Sequence, residues 1–106
     1  MENLSARQLA DWLEQKRPNL VLLDVREPWE WELCRIENSL HMPMGQVPAR
    51  LNEMDHDAEI VCICHHGARS AQVGFFLERN GFERVYNLSG GVHAWAEQIN
   101  PTMARY

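Results

Sequence analysis

A thiol, two imidazoles and a guanidinium follow one another closely in the segment Cys64–Arg69. A cysteine thiolate is a strong nucleophile, and a permanent cation beside it favours an anionic partner. Gly67 and Ala68 allow a tight loop whose backbone N–H groups point at the group that Cys64 carries. These residue types at this spacing indicate nucleophilic sulfur acting on an anionic substrate.

This segment lies between a predicted strand and a predicted helix. The apolar run Ile60–Ile63 predicts a buried strand, and Val73 and Leu77 share one face of the helix that follows the loop. The amino end of a helix stabilises an anion, and ligands of parallel sheets bind beyond the carboxyl ends of the strands. The alternative interpretation is that Cys64 is a small buried hydrophobe and Arg69 a solvated helix residue.

The first predicted helix spans residues 3–16. Ser5 and Gln8 form a capping box at its start, and Leu9 and Leu13 lie on its predicted buried face. Such a marked amino end predicts an early helix that packs one apolar face on the core.

Strands and helices then alternate to the end of the chain. The remaining predicted elements are a buried strand at Leu20–Val25, a short helix from Pro28 through Leu33, a brief strand at Ser39–Met42, a helix with Val47, Leu51 and Met54 on one face, a strand at Val85–Leu88 and a last helix with Val92, Trp95, Ala96 and Ile99 on one face. This alternation predicts an α/β domain with a mainly parallel central sheet, flanked by helices on both faces. We expect a single domain over residues 1–106.

Composition narrows the class of protein. The 106 residues are 45% hydrophobic and 24% charged, which is typical of a globular domain. Ten basic and fifteen acidic residues give a net charge of −5, so no nucleic-acid partner is expected. The chain has no apolar run of about 20 residues and no charged-then-apolar leader, so no membrane partner is expected. Three cysteines, an odd number, fit free thiols in a reducing cytoplasm.

The whole pattern resembles the single-domain rhodanese (sulfurtransferase) family. The residues that carry the resemblance are Asp24-Val25-Arg26-Glu27 with Glu30-Trp31, then Ile36 and Met42-Pro43, then Cys64-His65-His66-Gly67-Ala68-Arg69-Ser70, then Asn80-Gly81-Phe82, and last Leu88-Ser89-Gly90-Gly91-Val92-His93-Ala94-Trp95. The cysteine loop matches the family signature C-x-x-G-x-R-S, and the closing segment matches L-x-G-G-x-x-x-W. The fold that this resemblance implies is the rhodanese-like domain.

The resemblance also implies a mechanism and its residues. Cys64 would take a sulfane sulfur from an anionic donor such as thiosulfate and pass it, as a persulfide, to a thiol, cyanide or a carrier protein. The substrate-binding residues would be Arg69, His65, His66, Gly67, Ala68 and Ser70. Apart from the resemblance, the position of Asp24 and Arg26 at the end of the first buried strand indicates that they brace the active-site loop through ionic hydrogen bonds rather than do chemistry. No cofactor and no metal are expected.

Some relatives in the family are phosphatases, and loop length separates them from sulfurtransferases. A phosphatase loop has five residues between Cys and Arg, whereas four separate Cys64 from Arg69 here. The shorter loop fits a single sulfur atom better than a phosphoryl group. Departures at Cys34-Arg35-Ile36 and at Asn38–Pro43 leave the lining of the site, and hence the donor, open.

Several residues have competing interpretations. Cys62, Cys64, His65 and His66 lack the spacing of a structural zinc site, and a Cys62–Cys64 disulfide would be strained, so Cys62 is expected in the core. Cys34 is either a resolving thiol or a partly buried helix residue. His65 and His66 either favour the thiolate of Cys64 or only contact the substrate.

For the three tryptophans in these motifs, the alternative to a role in the site is packing in the hydrophobic core. Trp29 and Trp31 are expected in the core more than in a pocket, and Trp95 in the core. Two functions from other classes also stay open: a non-enzymatic module that binds a protein partner, and a redox sensor that pairs Cys64 with Cys62 or Cys34.

Overall fold

The computed structural model describes residues 1–106. At its centre is a five-stranded sheet in which every pair of neighbouring strands is parallel. The strands are β1 (Glu2–Leu4), β2 (Leu20–Asp24), β3 (Leu40–His41), β4 (Glu59–Ile63) and β5 (Arg84–Leu88). Their order across the sheet is β1-β5-β4-β2-β3, which places β4 at the centre. All five residues of β4 are buried, as expected for a strand covered on both faces.

Helices cover both faces of the sheet, which confirms the predicted architecture. They are α1 (Ala6–Glu14), α2 (Pro28–Leu33), α3 (Ala68–Arg79) and α4 (Gly91–Gln98), with 3-10 turns at Met44–Gln46 and Pro48–Glu53. Side chains of β4 alternate between two cores: Cys62 packs with Val73 and Leu77 of α3, whereas Val61 packs with Leu9 of α1 and Val92 of α4. The two-residue period of the strand therefore assigns each helix to its face.

The predicted first helix is wrong at its start. Residues 2–4 form β1, which pairs with β5, and α1 begins only after Ser5. The capping box itself is confirmed, because Ser5 Oγ accepts the N–H of Gln8 at 3.1 Å and the N–H of Ser5 donates to Gln8 Oε1 at 2.9 Å. Leu13 is 36% exposed and does not belong to the buried stripe that the sequence predicts.

The predicted helix around Val47–Met54 is also wrong in kind. The chain forms 3-10 turns there, with a kink at Arg50, whose φ of −118° and ψ of 15° are not helical. Pro48 lacks a backbone N–H and cannot join an α-helical hydrogen-bond ladder from the preceding turn. None of the helices has the length and apolar character that crossing a membrane requires.

Candidate active site

Cys64 is the first residue after β4 and lies at the amino end of α3. The loop of residues 64–67, called here the Cys64 loop, turns back so that the N–H of Gly67 donates to Cys64 Sγ at 3.1 Å. Gly67 has a φ of +116°, a conformation that L side chains rarely adopt, so this turn requires glycine. The 12-residue helix α3 adds the positive end of its dipole on the same side of the sulfur.

A buried polar chain connects the sulfur to β5. Cys64 Sγ lies 3.2 Å from Ser70 Oγ, and the Ser70 hydroxyl donates to Asn87 Oδ1 at 2.5 Å. Asn87 in turn donates from Nδ2 to the carbonyl of Gly67 at 3.1 Å. Because Ser70 and Asn87 are 0% and 5% exposed, these bonds hold the loop in one conformation without competition from water.

The amino end of α4 holds the other side of the Cys64 loop. The N–H groups of Val92 and His93 donate to the carbonyls of Cys64 and His65 at 3.0 and 3.1 Å. A Cβ on Gly91 would collide with both carbonyls, so the loop and the helix approach too closely for any side chain there. Two elements far apart in sequence therefore shape this loop.

The Cys64 sulfur is shielded from bulk water, because the residue is only 1% exposed. Cys62 lies fully inside the core, as expected, and burial raises the pKa of its thiol to about 12. Cys34 packs in the core on the opposite face of the sheet, with its Sγ 3.7 Å from Arg26 Nη1. All three cysteines are free.

The sequence predicts that Arg69 binds the substrate. In the structure its guanidinium is paired with the carboxylate of Glu30, a residue for which the sequence predicts no role. Arg69 Nη1 and Nη2 donate to Glu30 Oε1 and Oε2 at 2.7 and 2.8 Å. This bidentate pair is the main reason that the pKa of Glu30 falls to about 2, with smaller contributions from the Tyr106 hydroxyl and the N–H of Glu27. The same pair raises the pKa of Arg69 further above its usual value.

Asp24 and Arg26 form a fully buried ion pair, with Arg26 Nη2 to Asp24 Oδ2 at 2.8 Å. Arg26 also donates to the carbonyls of Glu30 and Cys34 at 3.2 and 2.6 Å, and to the Tyr106 hydroxyl at 3.1 Å. The guanidinium therefore contacts α2 and the carboxyl-terminal segment, and none of its hydrogen bonds goes to the Cys64 loop. Arg26 is connected to Arg69 only indirectly, through Glu30 and Tyr106.

His65 and His66 lie beside a third imidazole, that of His93 on α4. The His65 ring stacks on the Tyr106 ring with centroids 3.8 Å apart and planes at 13°, and on the other side it lies 4.0 Å from the His66 ring. The His93 ring lies 4.9 Å from that of His66. Burial lowers the pKa of His65, and the neighbouring His66 lowers it further.

The tryptophan predictions have mixed outcomes. Trp95 is 7% exposed and belongs to the core, as predicted. Trp29 is 61% exposed and does not, because it projects from the outer side of the short helix α2 with its ring edge on Tyr106. Trp31 is half-buried and stacks on His41 with ring centroids 4.7 Å apart.

The fold brings together more of the site than the sequence indicates. Cys64, Gly67, Arg69 and Ser70 meet at one end of β4, and Ala68 begins α3 as an exposed residue. The sequence does not predict four residues that contact this group or its neighbours: Glu30, Asn87, His93 and Tyr106. Glu30 and His93 stand inside quoted family motifs, so their types were visible, but only the parallel sheet places them against the Cys64 loop.

Comparison with known proteins identifies the family of this chain. The family model described as "Rhodanese-like domain" matches residues 5–98. A sulfurtransferase of Allochromatium vinosum is 39% identical over 97% of this chain and 91% of its own length. A Staphylococcus aureus protein whose crystal structure is described as a rhodanese-like domain protein superimposes with a TM-score of 0.84 at 33% identity, covering 90% of this chain and 91% of that one.

Two further relatives have sulfurtransferase names. The Mycobacterium tuberculosis protein named probable adenylyltransferase/sulfurtransferase MoeZ is 34% identical over 97% of this chain, which spans only 26% of MoeZ. The thiosulfate sulfurtransferase GlpE of Vibrio cholerae is 31% identical over 78% of this chain and 76% of its own length. These names support a transferase role of the rhodanese type. With the family model matched along most of its length, the chain belongs to the rhodanese-like domain family.

Proposed function

We propose that this protein is a sulfurtransferase that moves a sulfane sulfur from an anionic donor such as thiosulfate, through a persulfide on Cys64, to a thiol or cyanide acceptor. The observation that carries the proposal is the Cys64 sulfur at the amino end of α3, with the Gly67 N–H donating to it at 3.1 Å. A backbone N–H donor and the positive end of a helix dipole together suit the binding of an anionic donor at this sulfur. Thiosulfate is the donor in the name of the relative GlpE.

The transfer balances without an external oxidant or reductant. The Cys64 thiolate attacks the outer sulfur of thiosulfate, a new S–S bond forms on Cys64, and the donor S–S bond breaks with its electron pair leaving on sulfite. The persulfide then holds its outer sulfur in the Cys64 loop. A cyanide or thiolate attacks that sulfur, and the Cys64 thiolate is released for the next cycle.

The loop residues would share the binding of donor and product. Backbone N–H groups around Gly67 and Ala68 would hold the negative charge of the outer sulfur, as in other anion-binding turns. Arg69 keeps N–H groups that Glu30 does not use and is 36% exposed, so it would meet the charged end of the donor. Ser70 would contact the sulfur through its buried hydroxyl. His65 and His66 would contact the donor on the solvent-facing side of the loop.

Asp24 and Arg26 would act indirectly in this scheme. Their buried pair fixes α2 and the Tyr106 hydroxyl, which together position the Glu30 carboxylate against Arg69. We therefore propose a supporting role for both residues, and we place the protein in the cytoplasm, where its three free thiols would stay reduced. A carrier protein is a further acceptor that fits this chemistry.

Intact-protein mass spectrometry after incubation with thiosulfate tests the proposal. We expect a gain of one sulfur atom, its removal by cyanide, and no gain in Cys64→Ser. Cys62→Ser is the matched control, because Cys62 is a fully buried thiol inside β4 and not part of the Cys64 loop, and it should still load. The absence of any adduct with several sulfane donors would refute sulfur transfer.

One observation favours the second candidate, a non-enzymatic module that binds a protein partner. Cys64 is 1% exposed, whereas reactive cysteines are usually partly accessible. If Cys64 reacts with iodoacetamide near pH 7 no faster than free cysteine, and no sulfur adduct forms, the binding module is the better description. A peroxide-induced disulfide with Cys34 or Cys62 would instead indicate a redox sensor.

A further inference from the structure

The imidazoles of His65, His66 and His93 converge beside the Cys64 loop. Their candidate ligand nitrogens all lie within 4.8 Å of one another. We propose that these three side chains form a binding site for a divalent cation of the zinc class. Imidazole nitrogen suits Zn²⁺, and three protein ligands leave one coordination position open to water or another group. The proposal does not depend on sulfur transfer at Cys64.

Main-chain hydrogen bonds hold the two elements that carry these ligands together. The N–H of His93 donates to the carbonyl of His65 at 3.1 Å, and the N–H of Val92 donates to the carbonyl of Cys64 at 3.0 Å. His66 follows His65 directly in the same loop. The backbone positions of all three ligands are thus set by the fold, so binding a cation needs only side-chain rotation.

The side chains differ in how freely they can rotate. His65 lies between the rings of Tyr106 and His66, with centroid distances of 3.8 and 4.0 Å, and provides a fixed ligand. His66 is exposed and the His93 side chain is 40% exposed, so both can turn towards His65. Tetrahedral Zn²⁺ with bonds of 2.0–2.1 Å needs its nitrogens about 3.3 Å apart, a short closure from the present arrangement.

The charged side chains around the cluster are compatible with a bound cation. A neutral imidazole nitrogen has a lone pair that can bind a metal ion, and nitrogens of three imidazoles converge here. Glu97 Oε1 lies 3.4 Å from His93 Nε2 and can orient that ring, as carboxylates do for many metal-bound histidines. The nearby cation Arg69 is paired with Glu30, which limits its repulsion of a metal ion.

The expectation of no metal considers only Cys62, Cys64, His65, His66 and the remote Cys34 as ligands. A cysteine pair with adjacent histidines lacked the spacing of a structural zinc site, and His93 lies far along the chain. The parallel sheet and the contact between the Cys64 loop and α4 bring this third imidazole into place.

Equilibrium dialysis of the full chain against Zn²⁺, after treatment with a chelator, tests the site. We expect one Zn²⁺ per chain, with affinity reduced at least about tenfold in His93→Ala and in His66→Ala. Both positions are accessible to solvent, so neither variant should lose its fold, which circular dichroism checks. His56→Ala is the matched control, because His56 stacks on Phe82 outside the cluster, and it should bind as the wild type does.

The absorption spectrum of Co²⁺ bound in place of Zn²⁺ identifies the ligands. A spectrum without sulfur-to-cobalt charge transfer, unchanged in Cys64→Ser, supports a site built from imidazoles. Lack of stoichiometric Zn²⁺ binding, equal affinity in His93→Ala, or a sulfur band that disappears in Cys64→Ser would each overturn the proposal. None of these measurements uses sulfur loading, so failure of the metal site leaves the proposed transferase function standing.

Discussion

Arg69 and Glu30 form a bidentate ion pair across the site, with Nη1–Oε1 at 2.7 Å and Nη2–Oε2 at 2.8 Å. The pair joins the first turn of α3 to α2, and it sets a 3% exposed carboxylate against a guanidinium that is 36% exposed. The positive charge beside the Cys64 loop is therefore partly neutralised by an acid. Removing either partner has consequences beyond the loss of one side chain, because the other is left unpaired.

Arg69→Ala should slow sulfur loading from thiosulfate more than from an uncharged sulfane donor. The variant removes a cation and also leaves the buried Glu30 carboxylate unpaired, which adds negative charge beside the path of an anionic donor. We expect a loss of about tenfold to 100-fold with thiosulfate, the scale of one or two charged hydrogen bonds. Rates of adduct formation by mass spectrometry measure it.

The double variant Glu30→Gln/Arg69→Ala is the control for this prediction. It removes the unpaired carboxylate and should recover part of the thiosulfate rate that Arg69→Ala loses. If both donors slow equally in Arg69→Ala and the double variant recovers nothing, Arg69 holds the loop and does not meet the donor's charge.

Glu30 should make folding stability sensitive to acid. Its pKa is about 2 in the folded protein against an ordinary value of 4.5, so its contribution is complete above pH 4.5 and is lost as the pH falls towards 2. Allowing for screening by solvent at the edge of the site, that contribution is about 2 kcal/mol. Urea unfolding at pH 7 and pH 3 should show a smaller acid loss for Glu30→Gln than for wild type.

Glu53→Gln is the matched control for acid stability. Glu53 also pairs with an arginine, Arg50, at 2.8 Å, but its side chain is 47% exposed. Solvent screens such a pair, so its removal should barely change the acid loss. An acid loss that is the same in wild type and Glu30→Gln would contradict the assignment of the low pKa to Glu30.

Gly91→Ala should displace the Cys64 loop. The added Cβ would collide with the carbonyl oxygens of Cys64 and His65, so the main-chain bonds from α4 must lengthen or break. We expect the free energy of unfolding to fall by about 1–3 kcal/mol, as for other overpacked sites, together with slower sulfur loading. Gly45→Ala has nothing within 4 Å of the new Cβ and should change neither quantity. A Gly91→Ala protein as active and stable as wild type would show that the loop does not depend on this contact.

Cys62 should resist alkylation while the protein is folded. Burial raises the pKa of its thiol to about 12, so almost no thiolate forms at pH 8, and the residue is fully covered. Brief iodoacetamide treatment followed by peptide mapping should find Cys62 unmodified in the folded protein and modified only in urea. Modification of Cys62 in the folded Cys64→Ser variant would show that β4 opens far more readily than its burial indicates.

Much of the fold follows from local pattern. The apolar runs of β2 and β4, the capping box at Ser5 and Gln8, and Pro28 at the first turn of α2 are all read from neighbouring residues. The short strand β1 is different, because three residues become a strand only by pairing with β5, from the other end of the chain. Local pattern therefore predicts a helix across residues 3–16 and misses the edge of the sheet.

The sequence by itself determined the proposed nucleophile and its turn: Cys64 after a buried strand, Gly67 where φ must be positive, and α3 beginning at the next residue. Only the tertiary structure decided what surrounds them. Glu30 reaches Arg69 from α2, Asn87 reaches Ser70 from β5, and His93 reaches His65 from α4. The physical reason is that the spacing of residues along a chain specifies one strand or helix at a time. A parallel sheet, in contrast, places the carboxyl ends of strands that are distant in sequence side by side.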